Sequence, residues 1–295
     1  MGIFDQGDGG REGGGPSGPS FISRWIGPIM IAVIGLFMYM THTQTNPVTG
    51  AKQHLSISPI QEIRLGLQSA PEMAKKMGGE LLTNDPRSEE VKKMGAQLVS
   101  STIANKSPWK YQFHLLADTK TINAFALPGG QIFITLGLYN KLENQAELAG
   151  VLSHEMGHVI ERHTAQQMAK SELGQILVTA VGVAGSDPQH HTQGYTPMMI
   201  AGVVNHMFQL KYSRKDESEA DLWGIKLMEQ AGYDPHAMIK VLEILKTSGG
   251  HGHTPEMFQT HPDPDNRIKQ IQAYLEKNPP PANLKQGGSL KEVKQ

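Results

Sequence analysis

Two histidines and a glutamate in the run Ala149-Gly-Val-Leu-Ser-His154-Glu155-Met-Gly-His158-Val-Ile-Glu161-Arg-His163 have the types and spacing for metal-assisted hydrolysis. On an α-helix, residues four apart share a face, so His154 and His158 can aim both imidazoles at one Zn2+. Glu155 follows the first histidine and is placed to take a proton from the water that such a metal activates. The chain has no cysteine, so a metal must be held by His and carboxylate, and cysteine nucleophiles are excluded. The three residues alone also fit an exposed helix with two surface histidines. Their surroundings favour a buried one. Leu148, Val151, Leu152, Val159 and Ile160 make the segment apolar over much of its circumference. Asn144 can cap its start, with Glu147 three residues later as a capping-box partner. Burying two histidines and a glutamate is costly unless they find partners, and a metal would supply them.

A catalytic zinc site needs a third protein ligand and one open position. One zinc-protease pattern places a third His ten residues after the first, with a Gly at seven. Here those positions hold Thr164 and Glu161. His163 is one place short and about 100° round the helix, so it packs or hydrogen-bonds beside the site, and the third ligand comes from another element. Downstream carboxylates are Glu172, Asp216, Glu217, Glu219 and Asp221. The run Tyr212–Gly224 reads as helical through Leu227 and Met228. On it Glu217 and Asp221 share a face, while Glu219 points about 200° away, toward solvent. Glu217 can complete a zinc site, and Asp221 can accept the outer N–H of a ligand histidine. The same acidic run also fits an exposed helix start, where carboxylates favour the dipole.

His154-Glu155-Met-Gly-His158 followed by Glu217-Ser-Glu-Ala220-Asp221 resembles the gluzincin zinc metallopeptidases that include HtpX, BepA and the CAAX prenyl protease. Ser213-Arg214 resembles the family's Ser-Arg, and Thr260-His261-Pro262-x-x-x-x-Arg267-Ile268 its His-Pro loop. The resemblance covers residues from about 110 to 270. It implies that Glu217 is the third ligand and that the fold is a compact zincin, with a short sheet beside a helix pair. It also places the His-Pro loop near the metal, where His261 would take the fourth position or bind the developing oxyanion; the alternative is a loop histidine that caps the helix starting near Asp263. Arg214 would clamp a substrate carbonyl or hold the acidic run.

The elements that must position these residues can be read along the chain. Residues 1–20 hold eight Gly and are expected to be a disordered leader. Residues 21–40 contain the charge-free run Trp25–Met40 with aromatics at its ends. An uncleaved transmembrane anchor is expected there, in preference to a signal peptide, which lacks a cleavage site, or a buried core helix. Residues 41–58 read as a linker and 59–278 as the protease domain. Within it, helices are expected over Pro59–Met77 and residues 87–104. Strands are expected at Tyr111–Ala117 and at Asn123–Leu127 and Gln131–Thr135, the last two flanking Pro128-Gly129-Gly130. The apolar, Gly- and Met-containing stretch over residues 174–204 reads as a helical excursion over the active-site helix. His190, His191, His251 and His253 sit in loop-like stretches, and residues 279–295 read as a flexible tail. The fold class is α+β and mostly helical.

With 27 basic against 28 acidic side chains, the chain lacks the basic excess of a nucleic-acid binder. It also lacks a phosphate-binding Gly-x-x-x-x-Gly-Lys-Ser/Thr loop. The expected function is that of a zinc metalloendopeptidase, with one Zn2+ per chain, acting on unfolded or misfolded envelope proteins. The strand at Asn123–Leu127 would pair with extended substrate if it forms a sheet edge. The alternatives are a zincin-fold chaperone and a latent protease plugged by the His-Pro loop. Arg11 and Arg24 before the apolar run, against Lys52 after it, favour a single-pass protein of the inner membrane with its catalytic domain on the periplasmic side.

Overall fold

The computed structural model describes residues 21–171, 197–248 and 255–293. The leader, Glu172, most of the 174–204 stretch and His190, His191, His251 and His253 lie outside the described residues.

The domain is built around α5 (Gln145–Glu161), whose residues from Ala146 to Ile160 are all buried. Its start is fixed locally. The Asn144 side chain accepts the Glu147 N–H at 3.0 Å, and the Glu147 carboxylate returns to Asn144 Nδ2 and to the Glu143 N–H. On one side lies a three-stranded sheet of β3 (Gln112–Leu116), β4 (Ala124–Leu127) and β5 (Gln131–Thr135), in the order β3-β5-β4. β4 and β5 form the expected hairpin, with Phe125 opposite Phe133. β3 pairs parallel to β5, a non-local pairing that alternation alone does not reveal. The turn needs its glycine: Gly129 has φ 78°, and a Cβ there would meet the Ile63 backbone at 2.4 Å. β4 is an edge strand, and its Ala126 carbonyl faces the Thr164 hydroxyl.

α2 (Pro59–Lys76) begins with a Ser58/Gln61 capping box, and α3 (Pro86–Ser101) with Asp85 ahead of Pro86. These devices satisfy helix-start N–H groups that would otherwise be unpaired. α3 packs its Val91, Met94 and Leu98 with Phe113, Ile132 and α5 in the larger core. α2 packs on the other face of the sheet with Phe125, Leu127 and Phe133. A short helix α4 (Leu136–Tyr139) leads from β5 toward α5. α6 (Pro197–Gln209) adds Val204 and Met207 to the α2 cluster. α7 (Arg214–Gln230) lies against α5, followed by α8 (Ala237–Ser248), the short α9 (Glu256–Thr260) and α10 (Pro264–Lys277).

The expected linker is instead part of the domain. β1 (Thr43–Thr45) and β2 (Lys52–His54) form an antiparallel hairpin. Asn46 Nδ2 donates to the Ile160 carbonyl at 2.7 Å, and Gln53 Nε2 to the Glu161 carbonyl at 2.8 Å. Those are last-turn carbonyls of α5 that the helix itself cannot satisfy. The expected flexible tail is likewise docked over its described part. The Ala146 and Leu290 N–H groups donate to the Gln286 and Glu143 carbonyls, and Leu290 is fully buried. A composition of Pro, Gly and Lys hides such pairing, because it is made by the backbone.

Residues Phe21–Thr41 form one helix, α1, containing Pro28. Among the described residues no helix is long and apolar enough to cross a membrane. The expected anchor therefore appears as a helix without a complete span. In sequence, Ser23 and Arg24 lie in its first turn, and Gly27, Pro28 and Gly35 dilute the apolar run. Its Ile29, Val33, Phe37 and Met40 are nonetheless exposed.

Candidate active site

α5 supplies His154, Glu155 and His158, and α7 supplies Glu217 and Asp221. The two helices approach closely because residue 157 is glycine: a Cβ there would lie 2.7 Å from the Ala220 carbonyl oxygen. Ser213 caps α7 in a box with Asp216, which starts the helix one turn before Glu217 and sets its face.

Five polar atoms converge on one point. His154 Nε2 and His158 Nε2 are 3.1 Å apart. Glu217 lies 3.6 Å from the first through Oε2 and 3.5 Å from the second through Oε1. His261 Nδ1 is 3.3 Å from His154 Nε2 and 3.0 Å from Glu217 Oε1. Zinc bonds of about 2.0–2.1 Å in tetrahedral geometry put ligand atoms about 3.3 Å apart, so these separations fit such an ion. His154, His158, Glu217 and His261 together form a metal-competent cluster, all four buried. Charge points the same way. Glu155, Glu217 and Asp221 are three buried carboxylates against the single guanidinium of Arg267. A bound cation would offset the buried carboxylates that Arg267 alone leaves unneutralised. Both Glu155 carboxylate oxygens are buried without a hydrogen-bond partner, a cost that calls for a missing polar group.

Asp221 Oδ1 lies 2.9 Å from His154 Nδ1, as expected for a residue that orients the ring. His163 stands behind His158, with the two Nδ1 atoms 2.9 Å apart. Glu219 is part-exposed, and its Oε2 also turns inward, 3.2 Å from His163 Nε2. On α7 Glu219 points away from Glu217, but the segment after α5 comes round to meet it. Arg214 turns toward the His-Pro loop. It is largely exposed and pairs through Nε with Asp263 at 2.8 Å, tying the start of α7 to the His-Pro loop. His261 is fully buried and faces the cluster, with Nε2 3.7 Å from Glu155 Oε1. It does not cap α10, whose first turn has no side-chain cap.

Two residues of the site carry no assigned role in the sequence. Arg267, on α10, places Nη1 2.7 Å from Glu217 and clamps Asp221 through Nη2 and Nε at 2.6 and 2.8 Å. Its position in the Thr260–Ile268 motif was the available signal. The Tyr212 ring stacks on His158 with centroids 3.8 Å apart, and its hydroxyl lies 3.0 Å from Thr164 Oγ1. Its adjacency to Ser213-Arg214 was the only hint.

Burial dominates the electrostatics. It pushes the Glu155 carboxyl up, and the nearby His261 and His154 only partly oppose this. It holds the His158 imidazole well below its ordinary range, helped by the neighbouring His154 and His163, which keeps the ring neutral as a ligand must be. Burial would also raise Glu217 and Asp221. At both, Arg267 and adjacent imidazoles outweigh it, so each carboxyl falls below its usual value.

The chain is similar to known proteins over this region. It is 28% identical over 254 residues to the mitochondrial metalloendopeptidase OMA1 of Schizosaccharomyces pombe, covering 85% of this chain and 72% of that protein. It is 31% identical over 232 residues to the beta-barrel assembly-enhancing protease of Escherichia coli, covering 76% of this chain and 46% of that one. Human OMA1 is 26% identical over 86% of this chain. Residues 85–275 match the description Peptidase family M48, and because that stretch is most of the chain and contains α5, α7 and the His-Pro loop, the protein belongs to peptidase family M48.

Proposed function

We propose that this metalloendopeptidase is a zinc enzyme that cleaves unfolded polypeptide while attached to a membrane. The observation that carries the chemistry is the convergence of His154 Nε2, His158 Nε2 and the Glu217 carboxylate, with Glu155 buried beside them and its carboxylate without a hydrogen bond. Those three residues would hold the ion. When bound, zinc supplies a Lewis acid that polarises a peptide carbonyl and makes a water more acidic. Glu155 takes the proton of the attacking water and passes it to the leaving nitrogen. Its raised affinity for protons suits that shuttle. Asp221 and Arg267 keep His154 and Glu217 aimed. The strand order leaves β4 as an edge strand beside α5, which supports extended substrates. The Escherichia coli relative's name refers to β-barrel assembly, in keeping with clients met before they fold.

Glu155→Gln tests the mechanism. The amide is nearly isosteric but cannot take the proton, so purified variant should hold zinc like the wild type and lose casein cleavage. Cleavage at the wild-type rate would show that another group is the base.

Membrane attachment rests on α1. Ile26, Ile29, Val33, Ile34, Phe37 and Met40 are exposed on it, an apolar surface that needs cover. Arg11 and Arg24, ahead of the apolar run Trp25–Met40, favour a catalytic domain outside the cytoplasm. Alkaline carbonate extraction should leave the protein with the membranes, and added protease should reach residues 59–293 in spheroplasts. Release by carbonate would remove the anchor; protection in spheroplasts would reverse the topology.

A second reading concerns latency, and the position of His261 favours it. Its Nδ1 sits at a fourth corner of the cluster, and its Nε2 faces Glu155. There it would exclude the water on which Glu155 acts.

A further inference from the structure

His154 and His158 direct Nε2 at the common point, and the outer nitrogen of each ring needs a partner that fixes its orientation. For His154 the partner is the Asp221 carboxylate. For His158 it is another imidazole: the two Nδ1 atoms of His158 and His163 are 2.9 Å apart, and His163 Nε2 lies 3.2 Å from Glu219 Oε2. His163 is 1% exposed and Glu219 reaches the surface. We propose that His163 and Glu219 are positioning residues that fix the tautomer and aim of His158 for metal binding. The inference rests on the reading above that His158 is a ligand through Nε2.

Counting protons leaves one arrangement for neutral rings. If Nε2 of His158 binds a metal, its Nδ1 carries the hydrogen and donates. His163 Nδ1 must then accept, so His163 carries its own hydrogen on Nε2. That N–H donates to Glu219 Oε2. The result is a directed chain from the metal point to a surface carboxylate, one residue longer than the His154–Asp221 pair. Tyr212, stacked on His158, limits the tilt of the ring that the chain holds.

His163, Asp216 and Glu219 also lie close enough to suggest a second cation site. The same count opposes it. A metal on His163 Nε2 would move that ring's hydrogen to Nδ1, facing His158 Nδ1. His158 would then be protonated at Nε2 and could not bind at the main site. Asp216 uses Oδ2 to accept the Ser213 N–H that starts α7 and keeps Oδ1 3.9 Å from His163 Nε2, so the proton count on the two rings is what opposes a second ion. The two sites exclude one another, and the main one has more ligands.

The test uses the full chain. In zinc-loaded, 15N-histidine-labelled protein, imidazole NMR should show His163 as the Nε2–H tautomer and His158 as Nδ1–H. Zinc affinity, read by chelator competition, should fall about 10–100-fold in His163→Leu. His163→Asn, whose amide oxygen can stand near the Nδ1 position, should recover most of that loss. Glu219→Ala should weaken zinc by about 10-fold, whereas Glu219→Gln, which still accepts a hydrogen bond, should stay within about threefold of wild type. Unchanged thermal unfolding of the zinc-free Glu219 variants would separate this from misfolding. His163 found as Nδ1–H, or equal zinc affinity in wild type and Glu219→Ala, overturns the proposal. Glu217→Ala in the same assay guards the underlying reading: if it binds zinc as tightly as wild type, the main site itself is wrongly assigned.

Discussion

His261 is the residue on which opposite functional outcomes turn. Its Nδ1 lies within 3.3 Å of His154 and 3.0 Å of Glu217, so with an ion present it fits a fourth ligand. The backbone holds it there: the His261 N–H donates to the Met257 carbonyl at 2.7 Å, and Asp263, at φ 64°, turns the chain sharply after Pro262. We expect His261→Ala to keep zinc, because three ligands remain, and to raise casein hydrolysis by opening the fourth position. A fall of about 100-fold in kcat would instead mark an oxyanion contact, and turnover unchanged at unchanged zinc would rule out both roles. At this scale much of the site was legible. His154, Glu155 and His158 follow from a single helical period, and Glu217 with Asp221 from a second. Arg267 and Glu219 were missed for one physical reason. Their partners sit on other elements, and a wheel drawn for one helix says nothing of what folds against its far side.

The helix pair α5–α7 makes the site, and its closeness depends on one missing side chain. A methyl group at residue 157 would press on Ala220, whose carbonyl oxygen and Cα lie 2.7 and 2.9 Å from it. Backbone cannot yield as a side-chain tip can, so α7 must shift as a unit. Glu217 and Asp221 ride on that helix. We expect Gly157→Ala to lower zinc affinity by about tenfold or more while circular dichroism still reports the wild-type helix content. Wild-type affinity in a folded variant would show that α7 does not need this approach. Element type was readable where a period was long, as in α2, α3 and α5. Partnership was not. The parallel β3–β5 pairing, and the hairpin that caps α5 through Asn46 and Gln53, join residues distant in the chain and leave no local signature.

Across the whole molecule, the segment between α1 and the catalytic core converges on the end of the active-site helix. Arg162, at φ 60°, ends α5 in the left-handed region, uncommon for a residue with a side chain. It is held there by Glu62 of α2, by the Ile57 carbonyl at 3.0 Å and by the Trp109 ring. Three separate parts of the chain thus meet at one buried ion pair, so its protonation state bears on global stability. Burial is the largest influence on Glu62, and despite the attraction of Arg162 it raises the carboxyl from 4.5 to about 7. Between those values the folded chain keeps a proton that the unfolded chain has released. The group's contribution is therefore complete below about pH 4.5 and is lost as pH rises through about 7, at most about 3 kcal/mol in all. Glu62→Gln keeps an acceptor for Arg162 and removes the titration. We expect the melting temperature of wild type minus that of Glu62→Gln to fall steadily between pH 4.5 and 8. Parallel curves over that range would mean that Glu62 is ionised throughout and that the Arg162 pair, against its burial, governs the carboxyl.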